Sequence, residues 1–232
     1  MEHTVISPVK ANSMYWLGRY TERIYLELHL LRRCFDMMID GNPDEYLNYL
    51  SDIGNCIDYP TLSEARYGLV HDSDNPVSIL SCMERANDNA ILLRDEITSG
   101  TLAYIQMGLE KLRRAAQTEM DPDVEELQKL TDWMLAFWGS IDEKILNERT
   151  RRLLMIGRLV ERMDIHVRFK YKFFRIEDAL VSLRNMQDKE PLAFDRASME
   201  SLTALLTDDN YAPEIPIYKE KVLYLLGKTI TL

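Results

Sequence analysis

Apolar residues recur three and four positions apart over long stretches of this chain. Between Ser7-Pro8 and Asp40-Gly41-Asn42-Pro43 that rhythm is kept by Met14, Leu17, Ile24, Leu28, Leu31, Phe35 and Met38, with Thr21 in the one gap. Such spacing places one stripe of a helix against a core. Gly41 suits the left-handed residue that follows a helix, and Asn42-Pro43 reads as N-cap and first residue of the next one. That second helix is expected to reach about Cys56. Thr61-Leu62-Ser63-Glu64 has the form of a capping box opening a third. Asn75-Pro76 repeats the cap signal, and a helix is expected through Ile79, Met83, Ala86, Ala90, Leu93 and Ile97. Thr98-Ser99-Gly100 interrupts the pattern before a helix resumes to about Thr118. Asp121-Pro122 opens another to about Leu146, and Asn147 to about Gln187 reads as the last long helix, with room for one break. Short helices follow around Ser198 to Leu206 and Tyr218 to Gly227. No stretch alternates with period two as a strand would. The expected fold is all-α, a bundle of long helices with short connections forming one domain over residues 1–232.

The first and last long helices share more than a period. Leu17-Gly18-Arg19-Tyr20-Thr21-Glu22-Arg23 and Ile156-Gly157-Arg158-Leu159-Val160-Glu161-Arg162 carry the same Gly-Arg-x-x-Glu-Arg pattern. The apolar stripe keeps the same register, Leu17, Thr21, Ile24 and Leu28 matching Ile156, Val160, Met163 and Val167. An internal duplication is therefore expected. A weaker third copy lies at Met83-Glu84-Arg85-Ala86, with Leu80 in place of the glycine. Each glutamate falls one position past a stripe residue, on the shoulder of the buried face. Mid-helix glycine costs about 1 kcal/mol against alanine, so Gly18 and Gly157 point to a close approach of two backbones. An unpaired buried carboxylate is very costly. The expectation is that Glu22, Glu84 and Glu161 are neutralised by Arg19, Arg23, Arg85, Arg158 and Arg162.

Composition narrows the chemistry. Apolar residues make up 46% and charged residues 28%, an ordinary globular balance, and no apolar run nears the roughly 18–20 residues of a membrane span. The three cysteines, Cys34, Cys56 and Cys82, form no CxxC, and reduced core thiols are expected. Residues 1–12 have no signal-like apolar segment, so a cytoplasmic chain is expected. The net charge of −10 argues against nucleic acid. From Lys144 to Arg175, however, ten Lys and Arg face only three Asp and Glu. That local excess fits either pairing within the fold or an anionic ligand or acidic partner.

The Gly-Arg-x-x-Glu-Arg residues admit two readings. One is a buried Glu–Arg network that fixes helix register. The other is a polar pocket in which Arg19, Arg23, Arg85, Arg158 and Arg162, with Glu84 and Asp164, hold an anionic or peptide ligand. In that case Glu22 or Glu161 would be the proton-transfer candidate. No metal is expected, because His29 and His166 stand seven and five residues after the glutamates, not at the Glu-x-x-His spacing of a dimetal bundle. No cofactor is expected either, since phosphate-loop, Rossmann and nucleophile-elbow patterns are missing. Tyr15-Trp16 reads as packing or as a pocket wall.

Three ordered segments resemble the alpha-E domain family. They are Ala11-Asn12-Ser13 through Tyr15-Trp16-Leu17-Gly18-Arg19-Tyr20 to Glu22-Arg23, Asn75 to Ile79 with Arg85 to Asp95, and Gly157 to Asp164. Gly100 and Leu102 stand where that family carries an acidic residue and a tryptophan. The resemblance implies a helical bacterial protein keeping company with ATP-grasp-type peptide ligases, transglutaminase-like proteins and a proteasome-like hydrolase. It implies a place in peptide synthesis or modification. The first expectation is a non-catalytic accessory or scaffold protein with an ATP-grasp-type ligase or transglutaminase-like partner. The alternative is an enzyme acting on a peptide or amino acid in the Glu/Arg pocket.

Overall fold

The computed structural model describes residues 6–42, 45–54, 57, 59–118 and 121–232. Among them lie α1 (Pro8–Ile39), α2 (Glu45–Ile53), α3 (Leu62–Val70), α4 (Ile79–Leu92), α5 (Ser99–Ala116), α6 (Val124–Lys144), α7 (Glu148–Arg168), α8 (Phe174–Lys189), α9 (Arg196–Leu205) and α10 (Pro216–Lys228). A 3-10 turn spans Pro191–Ala193, and Phe194 and Ile230 form one antiparallel bridge; the described residues contain no strand. The all-α expectation holds. No helix among the described residues is long and apolar enough to cross a membrane. Pro43 and Cys56, named for the second helix, lie outside the described residues.

Helix ends show which local signals act. Gly41 follows α1 at φ +114°, and the Asn42 N–H donates to the Met37 carbonyl, as a left-handed stop requires. Thr61 caps α3, its hydroxyl oxygen accepting from the Glu64 N–H at 3.2 Å. Two expected caps are displaced. Ser78, not Asn75, caps α4 and accepts from the Ser81 N–H at 3.0 Å. Asn75 is buried instead, its amide donating to the Tyr59 hydroxyl and the Gly68 carbonyl, both at 2.9 Å. Asp123, two residues past Asp121, caps α6 through the Glu126 N–H at 2.7 Å. The stripe through Leu93 and Ile97 is buried as expected, but α4 stops at Leu92 and a turn carries both side chains inward. Burial can be periodic without the backbone staying helical.

The chain forms two compact units, Met1–Arg19 with Arg152–Leu232, and Tyr20–Arg151. In the second unit, α3 packs on α4, α4 on α5 and α5 on α6. Thr21, Ile24, Leu28, Leu31 and Phe35 of α1 are buried with Ile79, Met83, Ala86 and Ala90 of α4. Cys34 and Cys82 are both buried. Burial, with Glu45 nearby, pushes the Cys34 thiol up to about 12, which suits a core residue and not a nucleophile.

In the first unit, α9 packs on α10 and α8 on the 3-10 turn. Ile156, Val160, Met163 and Val167 of α7 are all fully buried. The long final helix breaks once, between α7 and α8, where Lys170 adopts φ +54°. The half-buried His166 lies against Tyr171 beside this break, ring centroids 4.7 Å apart. Burial lowers its pKa to about 4, despite the Arg175 carbonyl 3.2 Å from Nδ1, and the charges of Arg162 and Arg175 add to the shift. A histidine kept neutral in the folded chain and protonated in the unfolded one contributes stability above its unfolded pKa, about 6.5. That contribution is lost as pH falls from about 6.5 to about 4.

Urea titrations across that interval should therefore show His166→Gln losing less stability than the parent, by on the order of 1–3 kcal/mol. Equal losses would show that His166 protonates alike in both states.

Candidate functional site

The two Gly-Arg-x-x-Glu-Arg segments lie on α1 and α7, and in the first unit their glycines meet. A Cβ on Gly18 would sit 2.1 Å from the Leu154 carbonyl oxygen and 3.1 Å from the Arg158 nitrogen. A Cβ on Gly157 would sit 2.0 Å from the Tyr15 carbonyl oxygen and 3.0 Å from the Arg19 nitrogen. The contact is reciprocal. Each glycine faces the residue about three before the other and the arginine just after it. The obstructing atoms are backbone, so no side chain can turn aside for a methyl group.

Close backbones bring the charges together. Arg19 Nε donates to Glu161 Oε2 at 2.6 Å, with Glu161 1% exposed and Arg19 13%. A terminal nitrogen of Arg19 lies 3.9 Å from Asp164 Oδ2, and Asp164 Oδ1 accepts from Arg168 Nε at 2.5 Å. The Arg19 guanidinium also stands 5.2 Å from the Trp16 ring and 5.8 Å from the Tyr15 ring, whose hydroxyl is 3.5 Å from Nη1. Burial acts most strongly on Arg19 and would lower its pKa. Glu161, then Tyr15 and Asp164, reverse this and raise it, so the cation is held on. Burial raises the Tyr15 pKa against the lowering effect of Arg19. The result is a two-cation, two-carboxylate chain, Arg168–Asp164–Arg19–Glu161, walled by two aromatic rings.

The other predicted residues divide. Glu22 is fully buried in α1, as expected. Arg23 is half-buried, and its charge bears on Tyr49 in the second unit's core, where Glu27, Cys34 and Cys82 also act. Arg158 and Arg162 are half-buried on α7. The third copy departs from expectation. Glu84 pairs with Arg113 at 2.7 Å on an exposed surface, and Arg85 donates to the Pro76 carbonyl at 2.8 Å with Tyr20 under its guanidinium. In this segment Leu80, itself buried, stands in the glycine's place.

Sequence reasoning missed several buried polar residues, Glu27, His71 and Glu126 among them. Glu27 is fully buried, and its one signal was a place just before Leu28 on the stripe, four after Arg23. His71 and Glu126 are buried as a pair, Nε2 to Oε1 3.1 Å. They stand 55 residues apart with no local pattern linking them. Among the described residues no cluster of His, Cys, Asp and Glu could hold a metal. A cleft of about 650 Å³ runs beside α8 and α9 between Arg184, Asp188, Arg196 and Glu200; no residue of the three Glu-Arg copies lines it.

A family model for Alpha-E, described as a predicted alpha-helical domain with a conserved ER motif, matches residues 9–207. The chain belongs to the Alpha-E family. No curated protein and no solved structure matches it. Within the matched span the Glu-Arg dipeptides of this Alpha-E chain are Glu22-Arg23, Glu84-Arg85, Glu148-Arg149 and Glu161-Arg162. Only the first and last stand four residues after a mid-helix glycine, and their glutamates are the two that are buried.

Two mutant sets test this geometry. Gly18→Ala and Gly157→Ala should each cost about 2 kcal/mol or more, against the ~1 kcal/mol that alanine otherwise adds in a helix. Gly139→Ala, with nothing within 4 Å of its Cβ, should show only that gain. Arg19→Met takes away the guanidinium that donates to buried Glu161 at 2.6 Å and should cost about 3–5 kcal/mol. The double change Arg19→Met with Glu161→Leu should recover most of it. Chemical unfolding reads all five, and a double variant no more stable than Arg19→Met would show that the pair is not coupled.

Proposed function

We propose that this Alpha-E protein is a non-catalytic helical accessory protein of a peptide synthesis or modification pathway, working beside an ATP-grasp-type ligase or a transglutaminase-like protein. The observation that carries this reading is the Arg19–Glu161 pair. The glutamate that would serve as acid or base is 1% exposed and accepts a 2.6 Å hydrogen bond from the largely buried Arg19 guanidinium. A carboxylate so held is a poor proton carrier, because protonating it would leave Arg19 buried beside a neutral partner. The motif acts as a clasp. It joins the first helix to the late one, and the basic segment running on from that late helix is left to meet an acidic partner.

One observation favours the competing enzyme reading. Tyr15, Arg19, Asp164 and Glu161 bring four ionisable side chains together, the company in which a peptide or amino-acid substrate would be gripped by Arg19, Arg158 and Arg162. Glu161 would then move the proton.

The readings part in one experiment. The purified chain is added to an ATP-grasp ligase from the same source, and complex formation and ADP release are measured. The accessory reading expects the chain alone to turn over no ATP or peptide, the ligase to bind it and work faster, and Glu161→Gln to lose effect only as it loses folded fraction. A Glu161→Gln or Glu22→Gln chain that keeps its melting temperature and abolishes turnover would make the motif catalytic and overturn the accessory reading.

A further inference from the structure

The turn joining α7 to α8 reads Phe169-Lys170-Tyr171-Lys172-Phe173-Phe174-Arg175, three cations among four rings. It is held rigidly. Lys170 takes the left-handed conformation that glycine usually fills, and the Tyr171 N–H donates to the His166 carbonyl at 2.9 Å. The Arg175 N–H closes onto the Lys172 carbonyl at 3.0 Å. Tyr171 lies on His166, Phe173 on Tyr211 at 5.8 Å, and Tyr211 on Tyr218 at 6.1 Å, so rings from three parts of the chain brace the turn from within.

The outward side chains are a different set. Lys172 and Arg175 are exposed, and neither has a carboxylate partner among the described residues. Phe174 is 58% exposed, with the Arg175 guanidinium 5.4 Å from its ring. A large ring left in water beside two unneutralised cations, on a turn already ordered by its own contacts, is a surface that loses little freedom when something binds.

Its surroundings decide what fits. The chain carries −10 overall. Exposed Glu177 and Asp178 follow the turn in α8, and Asp208, Asp209 and Glu214 bracket Tyr211 in sequence. The basic island is small, and these acidic residues flank it, Glu177 and Asp178 along α8 and Asp208, Asp209 and Glu214 near Tyr211, which packs on Phe173. At physiological salt, charges act over about 8 Å. A flat anionic bilayer or a long phosphodiester chain would reach the acidic residues as well as the island, whereas a short segment can stay on the island.

We propose that the α7–α8 turn is the docking site for a short acidic segment of a partner protein, its carboxylates meeting Lys172 and Arg175 and an apolar side chain covering Phe174. This deepens the accessory reading and rests on it for the partner's role. The turn lies just beyond the clasp on α7, so the element that closes the first unit also presents a rigid cationic surface.

Fluorescence anisotropy on the full chain tests it, with a fluorescein-labelled peptide of aspartates and glutamates around one tryptophan. The controls are the same peptide made of asparagine and glutamine, vesicles of equimolar phosphatidylserine and phosphatidylcholine, and a single-stranded oligonucleotide. The acidic peptide should bind, and the other three should bind far more weakly. Lys172→Glu with Arg175→Glu should weaken it about tenfold or more, and Phe174→Ser should weaken it too. Arg184→Glu, further along α8, should not. Melting temperatures read alongside show that these exposed changes leave the fold intact. The proposal is overturned if the peptide does not bind, if the turn variants bind it as the parent does, or if vesicles or oligonucleotide bind as tightly. The two readings fail separately. A ligase complex that survives Lys172→Glu with Arg175→Glu removes this surface and leaves the accessory role. Peptide captured at the turn by a chain that binds no ligase removes the accessory role and leaves the surface.

Discussion

Two missing methyl groups organise the first unit. Where α1 meets α7 there is no room for a side chain at either glycine, because the atoms that oppose Gly18 and Gly157 are carbonyls and amides of the facing helix. That proximity sets the electrostatics of the unit. It brings Arg19 of one helix within 2.6 Å of Glu161 on the other and takes the glutamate out of water. A carboxylate there is tolerable only with a guanidinium against it, since several kcal/mol of desolvation must be offset. The ion pair is thus a consequence of the glycines as much as a partner to them. In the third Glu-Arg segment, where Leu80 stands in the glycine's place, Glu84 is part-exposed and pairs with Arg113.

Such a pair specifies more than it stabilises. Two apolar side chains of similar volume often hold helices together as well or better. What a charged pair adds is intolerance of any other register: sliding either helix by one residue would bury Glu161 without Arg19. Asp164 and Arg168 extend the same logic by one turn along α7, each cation having a carboxylate on the way from the core to the surface. The ionisable cluster that resembles an active site is also what an alignment device would look like.

The helices and the glycine approach were legible in the sequence for a definite reason. Period and glycine placement are local properties, written within a few turns of Leu17, Gly18, Ile156 and Gly157. Asn75 shows the limit. Asn-Pro is a sound cap signal, yet its amide finds Tyr59 and Gly68 because a loop folds back over it, and Ser78 takes the cap. The length of the final apolar pattern leaves room for a break without placing it, since no Gly or Pro marks Lys170. His71 with Glu126, and Arg113 with Glu84, depend on which helices become neighbours, and no spacing along the chain encodes that. The cationic turn lies within a charge run that is plain to see. Which of its members face outward is decided by rings packed from Tyr211 and Tyr218, far along the chain.

Arg19 and Glu161 are separated by 142 residues. A ribosome adding roughly 5–20 residues per second needs roughly 7–30 seconds to travel from one to the other. Throughout most of that interval the opening turns of α1 are outside the tunnel with Met14, Leu17 and Gly18 uncovered and their partner helix not yet made. The second unit, encoded between them, is complete before the first can begin to close. A nascent chain therefore carries an unmatched apolar helix start for most of its synthesis, and the cell must keep it from foreign surfaces until α7 emerges.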